Sequence, residues 1–246
     1  MKLNADLKLP LRFQKKSGMK IALIGYGKMG KAIEQSIIQQ GKHEVVLKIS
    51  IDNLNDLTVE NLKKADVAIE FTSPESAVKN MLLCLKAAVP VVCGSTGWLG
   101  KFENVKKEFE NNKGAMVFAS NFSIGVNLFF AINNYAASLF KKHPQYEVLM
   151  SEIHHTEKKD APSGTAISIK KIIEQHISSQ AIPIEALRIE NVVGTHNVLF
   201  KSAVDEVELI HKAHSRSGFA EGAVLAAEWI ADKKGVYEFK DVLGIE

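Results

Sequence analysis

The run Gly25-Tyr26-Gly27-Lys28-Met29-Gly30 constrains the fold of this 246-residue chain more than any other stretch. It follows Lys20–Ile24, a short β-rich run. Beyond it Met29, Ala32, Ile33 and Ile37 share one face at helical spacing, and Gly41 ends that pattern as a glycine past a helix C-terminus does. Val45–Ile51 then reads as a second strand, closed by Asp52, which stands 22 residues past Gly30. A glycine turn between strand and helix, with an acid after the next strand, is the arrangement that receives a dinucleotide. The glycines allow a tight turn and close approach of backbone to a pyrophosphate, whose charge the helix N-terminus favours. Asp52 is placed to accept from ribose hydroxyls. The glycine pattern by itself occurs in turns that hold no ligand; its setting between strand, helix and acid carries the reading.

The alternation continues to residue 122. Asp66–Phe71 reads as a buried strand, and Thr72-Ser73-Pro74-Glu75 as a helix start with proline in the first turn. That helix runs through Val78, Met81, Leu82 and Leu85 to Ala88. Pro90–Cys93 is the next strand, ended by Gly94-Ser95-Thr96-Gly97; a charged helix over Leu99–Asn112 leads to the strand Ala115–Ala119 and to Ser120-Asn121-Phe122. Strands alternating with helices predict an α/β fold with a Rossmann-like, doubly wound parallel sheet, which binds ligands across the carboxyl ends of its strands. The loops at those ends supply the expected cofactor contacts: Gly25, Tyr26, Gly27, Lys28, Met29 and Gly30, then Asp52, then Gly94, Ser95 and Thr96, and finally Ser120, Asn121 and Phe122.

After Phe122 the rhythm changes. Asn127–Phe140 is an apolar helix, Tyr146–His155 one long strand, and a helix starting near Gly164 carries Ala166, Ile169, Ile172, Ile173 and Ile177 on one face. Leu187–His214 reads as an antiparallel meander, Phe219–Ala231 as a last helix and Tyr237–Leu243 as a short tail. This half predicts a smaller α+β domain whose open sheet can meet a ligand or a second subunit. Hydrophobic residues at 46% and a net charge of +3 describe a soluble chain with no nucleic-acid signature, and no apolar run is long enough to span a membrane. Cys84 and Cys93 lie in apolar surroundings, as reduced thiols of a cytoplasmic protein do. Residues 1–18 carry four lysines and an arginine without a signal-type apolar core; they read as a disordered extension or as the stretch ahead of an internal start at Met19.

The densest chemistry is in Glu152–Thr165, EIHHTEKKDAPSGT. Histidine suits proton transfer near neutral pH. Adjacent residues of a strand point to opposite faces, so His154 and His155 are poorly placed to share a metal, even with Glu157 nearby, and no metal site is assigned. The pair suits two duties instead: one imidazole at a reaction centre, the other binding a carboxylate or packing. Lys158 can bring a cation and proton donor to the same pocket, whereas Lys159 reads as solvated charge. Gly164 and Thr165 offer backbone N–H groups at a helix start, which favour an anion.

These residues resemble a known signature. Glu152-Ile153-His154-His155, Lys158-Lys159-Asp160 and Ala161-Pro162-Ser163-Gly164-Thr165-Ala166 are similar to the motif of the 4-hydroxy-tetrahydrodipicolinate (dihydrodipicolinate) reductases of the diaminopimelate route to lysine. The resemblance extends over residues 19–246, taking in Phe71–Pro74, Asn121–Asn127, His214-Ser215-Arg216 and Phe219-Ala220. It implies NADH or NADPH on the first domain, delivering hydride to C4 of a cyclic imine dicarboxylate. It further implies His154 as the acid–base residue and Lys158 as a proton donor, with His155, Gly164 and Thr165 holding the substrate carboxylates. Residues 19–122 with 219–246 would form the nucleotide domain and 123–218 a substrate-binding domain, with hinges near Phe122 and Phe219 and a homotetramer joined through the second sheet.

Three departures stand out. The glycine loop is one residue shorter than in many members and has Lys28 where arginine is frequent. Gly94-Ser95-Thr96 replaces Gly-Thr-Thr. Asn53 follows Asp52 where some members carry arginine, which tilts the preference toward NADH unless Lys28 or Lys48 meets a 2′-phosphate. Two alternatives make different demands. Another dehydrogenase of a small carboxylated substrate, working through a thiol, would need Cys93 in an activating site. A non-catalytic NAD-sensing protein would need a helix-turn-helix or basic stripe, and the sequence shows neither.

Overall fold

A computed structural model describes residues 18–178, 181–215 and 217–245. The expectation for residues 1–18, Gly18 apart, and Arg216 of the resemblance lie outside the described residues. The first part runs β1 (Lys20–Ile24), α1 (Lys28–Gln40), β2 (Glu44–Ile49), α2 (Val59–Leu62), β3 (Val67–Glu70), α3 (Pro74–Lys86), β4 (Val91–Cys93), α4 (Phe102–Asn111) and β5 (Ala115–Phe118). The second part adds α5 (Ile124–Phe140), β6 (Glu147–His154), α6 (Gly164–Glu174), β7 (Ile184–Arg188), β8 (Gly194–Lys201) and β9 (Glu206–Ala213). α7 (Ser217–Ile230), β10 (Gly235–Glu238) and α8 (Phe239–Val242) complete the chain.

Six parallel strands form one sheet in the order β10-β5-β4-β3-β1-β2. Helices cover both faces, which is why β3 and β4 are apolar or buried at every position rather than alternating. Ile33 and Ile37 of α1, with Ala220, Ala223, Val224 and Ala227 of α7, pack on one face together with Phe122 and Phe239. Met81 and Cys84 of α3, with Val105 and Phe109 of α4, pack on the other. Each fully buried Ile, Val, Met or Phe among these contributes roughly 1.5–3 kcal/mol, and each alanine methyl less. The strand order reverses between β1 and β3, so the crevice of such a sheet opens between the loops that follow them.

Several local expectations change. β2 stops at Ile49, not Ile51: the Asp52 N–H donates to Ser50 Oγ (3.1 Å) and the Ser50 N–H to Asn53 Oδ1 (2.7 Å), a capping box that turns Ile51–Asp56 into a 3-10 helix. α5 starts at Ile124 rather than Asn127, because Ser123 caps it by accepting from the Val126 N–H. The supposed tail supplies the sixth strand, β10, paired in parallel with β5.

The second sheet has four strands in the order β7-β6-β8-β9 and is mixed. The meander expected over Leu187–His214 holds for β8 and β9, which are antiparallel to their neighbours, but β7 is parallel to β6. The reason is α6, which intervenes between β6 and β7 and makes a crossover that returns the chain in the same direction. α5 and α6 cover one face of this sheet, where Phe129, Ile169 and Ile173 meet Val148, Met150, Val198 and Phe200.

Candidate active site

The carboxyl end of the parallel sheet is built for a close approach. Gly25 has φ +97°, and a Cβ there would overlap the Phe71 carbonyl oxygen; a Cβ on Gly30 would overlap the Gly25 carbonyl oxygen. Gly27 is different, for a Cβ there would meet nothing within 4 Å. The first backbone bond of α1 runs from the Lys31 N–H to Gly27 O (3.0 Å), so the N–H groups of Lys28, Met29 and Gly30 have no intrahelical acceptor. Two glycines therefore close the turn and the third leaves its outer side open, an arrangement that fits a dinucleotide pyrophosphate. Tyr26 is directed away from that opening: its hydroxyl bonds Glu34, which also pairs with Lys48 at 2.6 Å. Asp52 is exposed on the turn after β2, where it accepts from Ser50 Oγ (3.3 Å).

The loops after β4 and β5 face inward over two adjoining cavities. One, of about 500 Å³, lies against Thr96, Trp98, Ser120, Asn121 and Phe239. The other, of about 620 Å³, shares Thr96, Ser120, Asn121 and Phe130 with it and continues to His154, His155, Lys158, Gly164 and Thr165. Ser95 is buried and accepts from the Thr72 N–H (2.7 Å), which ties the β3 and β4 loops together. Gly94 is needed for packing, since a Cβ there would overlap the Phe71 ring. The Phe122 ring lies in the core against Phe71 and Phe239 (centroids 5.9 and 4.9 Å).

β6 alternates as a half-buried strand does, and its inward set is Val148, Met150, Glu152 and His154. His154 and His155 both line the larger cavity, contrary to the expectation of opposite faces. The strand ends at His154, and His155 already belongs to the turn in which the Lys158 N–H donates to His155 O (3.1 Å). Lys158 Nζ donates to both oxygens of Asp160 (2.8 and 2.9 Å). Lys159 is exposed. Ser163 caps α6 by accepting from the Ala166 N–H (3.1 Å), and the first helical bond is from Ile167 to Ser163 O, so the Gly164 and Thr165 N–H groups have no intrahelical acceptor. Lys158, and to a lesser extent the Gly164 N–H, hold the Asp160 carboxyl below its ordinary pKa. Asn121 Nδ2 donates to Thr165 Oγ1 (3.4 Å), a direct link between the first sheet's loops and this helix start.

Behind these groups is a buried polar row that the sequence reading did not assign. Glu152 of β6 pairs in register with His196 of β8, and His196 with His211 of β9. Glu152 is fully buried; its Oε1 accepts from the Ser163 N–H (2.9 Å) and from Arg188 Nη2 (3.3 Å). Its Oε2 lies 3.5 Å from His154 Nδ1 and 3.7 Å from His196 Nε2. Burial lowers the His154 pKa below its ordinary value, with Glu152 opposing and Lys158 and Arg188 assisting. Burial likewise brings His196 down to about 4, aided by His154. Glu152, His154 and His196 offer donor atoms within 4.8 Å of one another, so this trio, rather than the adjacent histidines, is the group able to hold a metal among the described residues. Arg188 already supplies positive charge to its carboxylate. The signal for His196 was its inward position in β8, two residues on from Gly194.

A doubly wound parallel sheet with an open glycine turn, meeting a pocket of imidazoles and a lysine, defines a dinucleotide-dependent oxidoreductase. Residues 19–122 match the family described as dihydrodipicolinate reductase, N-terminus, and residues 125–243 the corresponding C-terminus. The chain is similar to the 4-hydroxy-tetrahydrodipicolinate reductase of Christiangramia forsetii, with 43% identity over 240 residues, 92% of this chain and 98% of that one. The enzyme of the same description from Methanocaldococcus jannaschii is 34% identical over 271 residues, with the same coverage of 92% and 98%. The fold matches that of a dipicolinate-bound dihydrodipicolinate reductase from Paenisporosarcina sp. TG-14, with a TM-score of 0.79 at 24% identity, covering 91% of this chain and 98% of that one. This chain belongs to the dihydrodipicolinate reductase family and is an NAD(P)H-dependent oxidoreductase.

Proposed function

We propose that the protein reduces 4-hydroxy-tetrahydrodipicolinate to tetrahydrodipicolinate in the diaminopimelate route to lysine, with His154 as the acid–base residue and Lys158 as proton donor. The observation that carries this is the larger cavity, where His154, His155, Lys158, Gly164 and Thr165 meet Thr96, Ser120 and Asn121 from the cofactor side. The nicotinamide cofactor, when bound, supplies the hydride. The Gly164 and Thr165 N–H groups and the His155 ring bind the substrate's carboxylates, and Lys158 adds a cation that holds them and stabilises charge developing near the ring. Asp160 holds the Lys158 ammonium in place until a substrate carboxylate competes for it. His154, kept neutral by burial, can accept or return a proton near neutral pH.

The cofactor contacts are those of Gly25–Gly30, Asp52, Gly94–Thr96 and Ser120–Phe122. NADH is favoured over NADPH, since Asn53 donates to Lys48 O and Asp56, while Lys48 is engaged by Glu34, so neither reaches freely for a 2′-phosphate. The division into 19–122 with 219–246 and 123–218 is supported by α7 and α8 packing in the core of the first sheet. A cytoplasmic location accords with two buried free thiols, and a homotetramer with the sheet face opposite α5 and α6, where Leu187 and Ile210 are exposed.

The test supplies NADH or NADPH together with the product of dihydrodipicolinate synthase and follows the loss of reduced-nicotinamide absorbance. Turnover is expected; none with either cofactor overturns the reading.

A further inference from the structure

We propose that Glu152 is a positioning residue: through one carboxylate oxygen it holds His154 as the Nδ1–H tautomer, and through the other it anchors the Ser163 turn that starts α6. The proposal rests on the roles just assigned to His154, Gly164 and Thr165. One buried group then sets both the proton-transfer imidazole and the anion-binding helix start.

Two buried polar atoms without hydrogen-bond partners, Glu152 Oε2 and His154 Nδ1, lie 3.5 Å apart. Leaving either unsatisfied is costly, and the simplest resolution is a proton on Nδ1 directed at the carboxylate. That assignment leaves His154 Nε2 as the exchanging nitrogen. It lies beside Gly194, where a Cβ would come to 3.1 Å from Nε2, and both residues line the larger cavity. The second oxygen, Oε1, takes the Ser163 N–H at 2.9 Å, and the Ser163 hydroxyl in turn caps α6. Arg188 reaches the same oxygen and also donates to the Asp160 carbonyl, so the loop carrying Lys158 is tied to the same anchor.

The charged and titratable groups around His154 come from every neighbouring element. They are Glu152 on its own strand, Arg188 on β7, His196 on β8 with His211 beyond it on β9, and Lys158 and Asp160 from the loop. Glu152 and Asp160 favour the imidazolium; Lys158 and Arg188 disfavour it. Removing the Glu152 charge therefore moves the His154 titration to lower pH.

The test is nitrogen NMR of ¹⁵N-histidine-labelled, ligand-free protein, combined with steady-state kinetics of Glu152→Gln. The glutamine keeps an oxygen for Ser163 and Arg188 but presents an N–H to His154, which reverses the tautomer. In the parent, Nδ1–H is expected on His154; in the variant, Nε2–H, a lower titration midpoint, and a kcat reduced roughly 100-fold with KM changed less than about threefold. A merely structural role would lower the melting temperature without reversing the tautomer. The Nε2–H tautomer in the parent protein overturns the proposal, as does a Glu152→Gln variant with unchanged titration and kcat. Activity lost to a chelator and restored by zinc also overturns it, since Nδ1 would then be a metal ligand. If the variant does not fold, the parent spectrum still decides. Because the spectrum needs no turnover, failure of the reductase reading remains distinguishable.

Discussion

Lys158 and Asp160 form a chelated pair at the mouth of the pocket, and the lysine side chain stays partly accessible. Lys158→Ala is expected to lower kcat about 100-fold while the NADH dissociation constant, measured by nucleotide fluorescence, stays within twofold; full activity would return Lys158 to ordinary surface charge. His196 makes a stability prediction. Its pKa falls from the ordinary 6.5 to about 4 on folding, chiefly through burial. The unfolded chain takes up a proton that the folded chain refuses, so the stabilisation is complete above about pH 6.5 and is lost as pH falls through about 4. The whole effect is on the order of 3 kcal/mol. Melting curves should drop steeply over that window, and His196→Gln should flatten the drop even if it lowers the melting temperature at neutral pH.

At the scale of elements, α7 decides how the chain after the second sheet rejoins the first. Its buried face is mostly small, with Ala220, Gly222, Ala223, Ala226 and Ala227 beside Val224 and Ile230, so the helix lies close against the sheet. A Cβ on Gly222 would overlap the Phe122 carbonyl oxygen, which is backbone and cannot swing away. Gly222→Ala is expected to cost about 1–3 kcal/mol by overpacking and to lower the melting temperature by several degrees. Because Phe122 ends the loop that carries Ser120 and Asn121, NADH affinity should fall as well; calorimetry and nucleotide titration check both. The α7 helix was readable from its run FAEGAVLAAEWIA, whereas its docking site was not, since alanines fit any close-packed surface. β7 illustrates a similar limit: only its last two residues, Leu187 and Arg188, fell within the expected strand pattern, and its direction followed from α6 placed ahead of it.

At the scale of the molecule, the second sheet has one face under α5 and α6 and another carrying Leu149, Ile153, Leu187, Leu199 and Ile210. An apolar sheet face of this kind suits a partner, and the homotetramer proposed above uses it. Ile210→Glu places a charge on that face without touching the cavity, and should shift the light-scattering mass from four chains to fewer while the fold is kept. A wild-type protein already monomeric at micromolar concentration would remove the tetramer reading.

What the sequence determined by itself is what contiguous residues can encode. The strand, glycine turn and helix at Lys20–Gln40 follow from local periodicity and from glycines where side chains cannot fit. The capped start of α6 follows from Ser163-Gly164-Thr165, and the alternation of β6 from its own period of two. Only the tertiary structure decided that β10, four residues long, would extend the first sheet, and that Glu152, His196 and His211 would stand in one row. Strand pairing and register are chosen by what can be buried together across long stretches of chain, and no single segment carries that choice. The stretch Glu152–Thr165 could therefore be read one residue at a time, but the neighbours of its buried carboxylate appeared only when the strands were laid side by side.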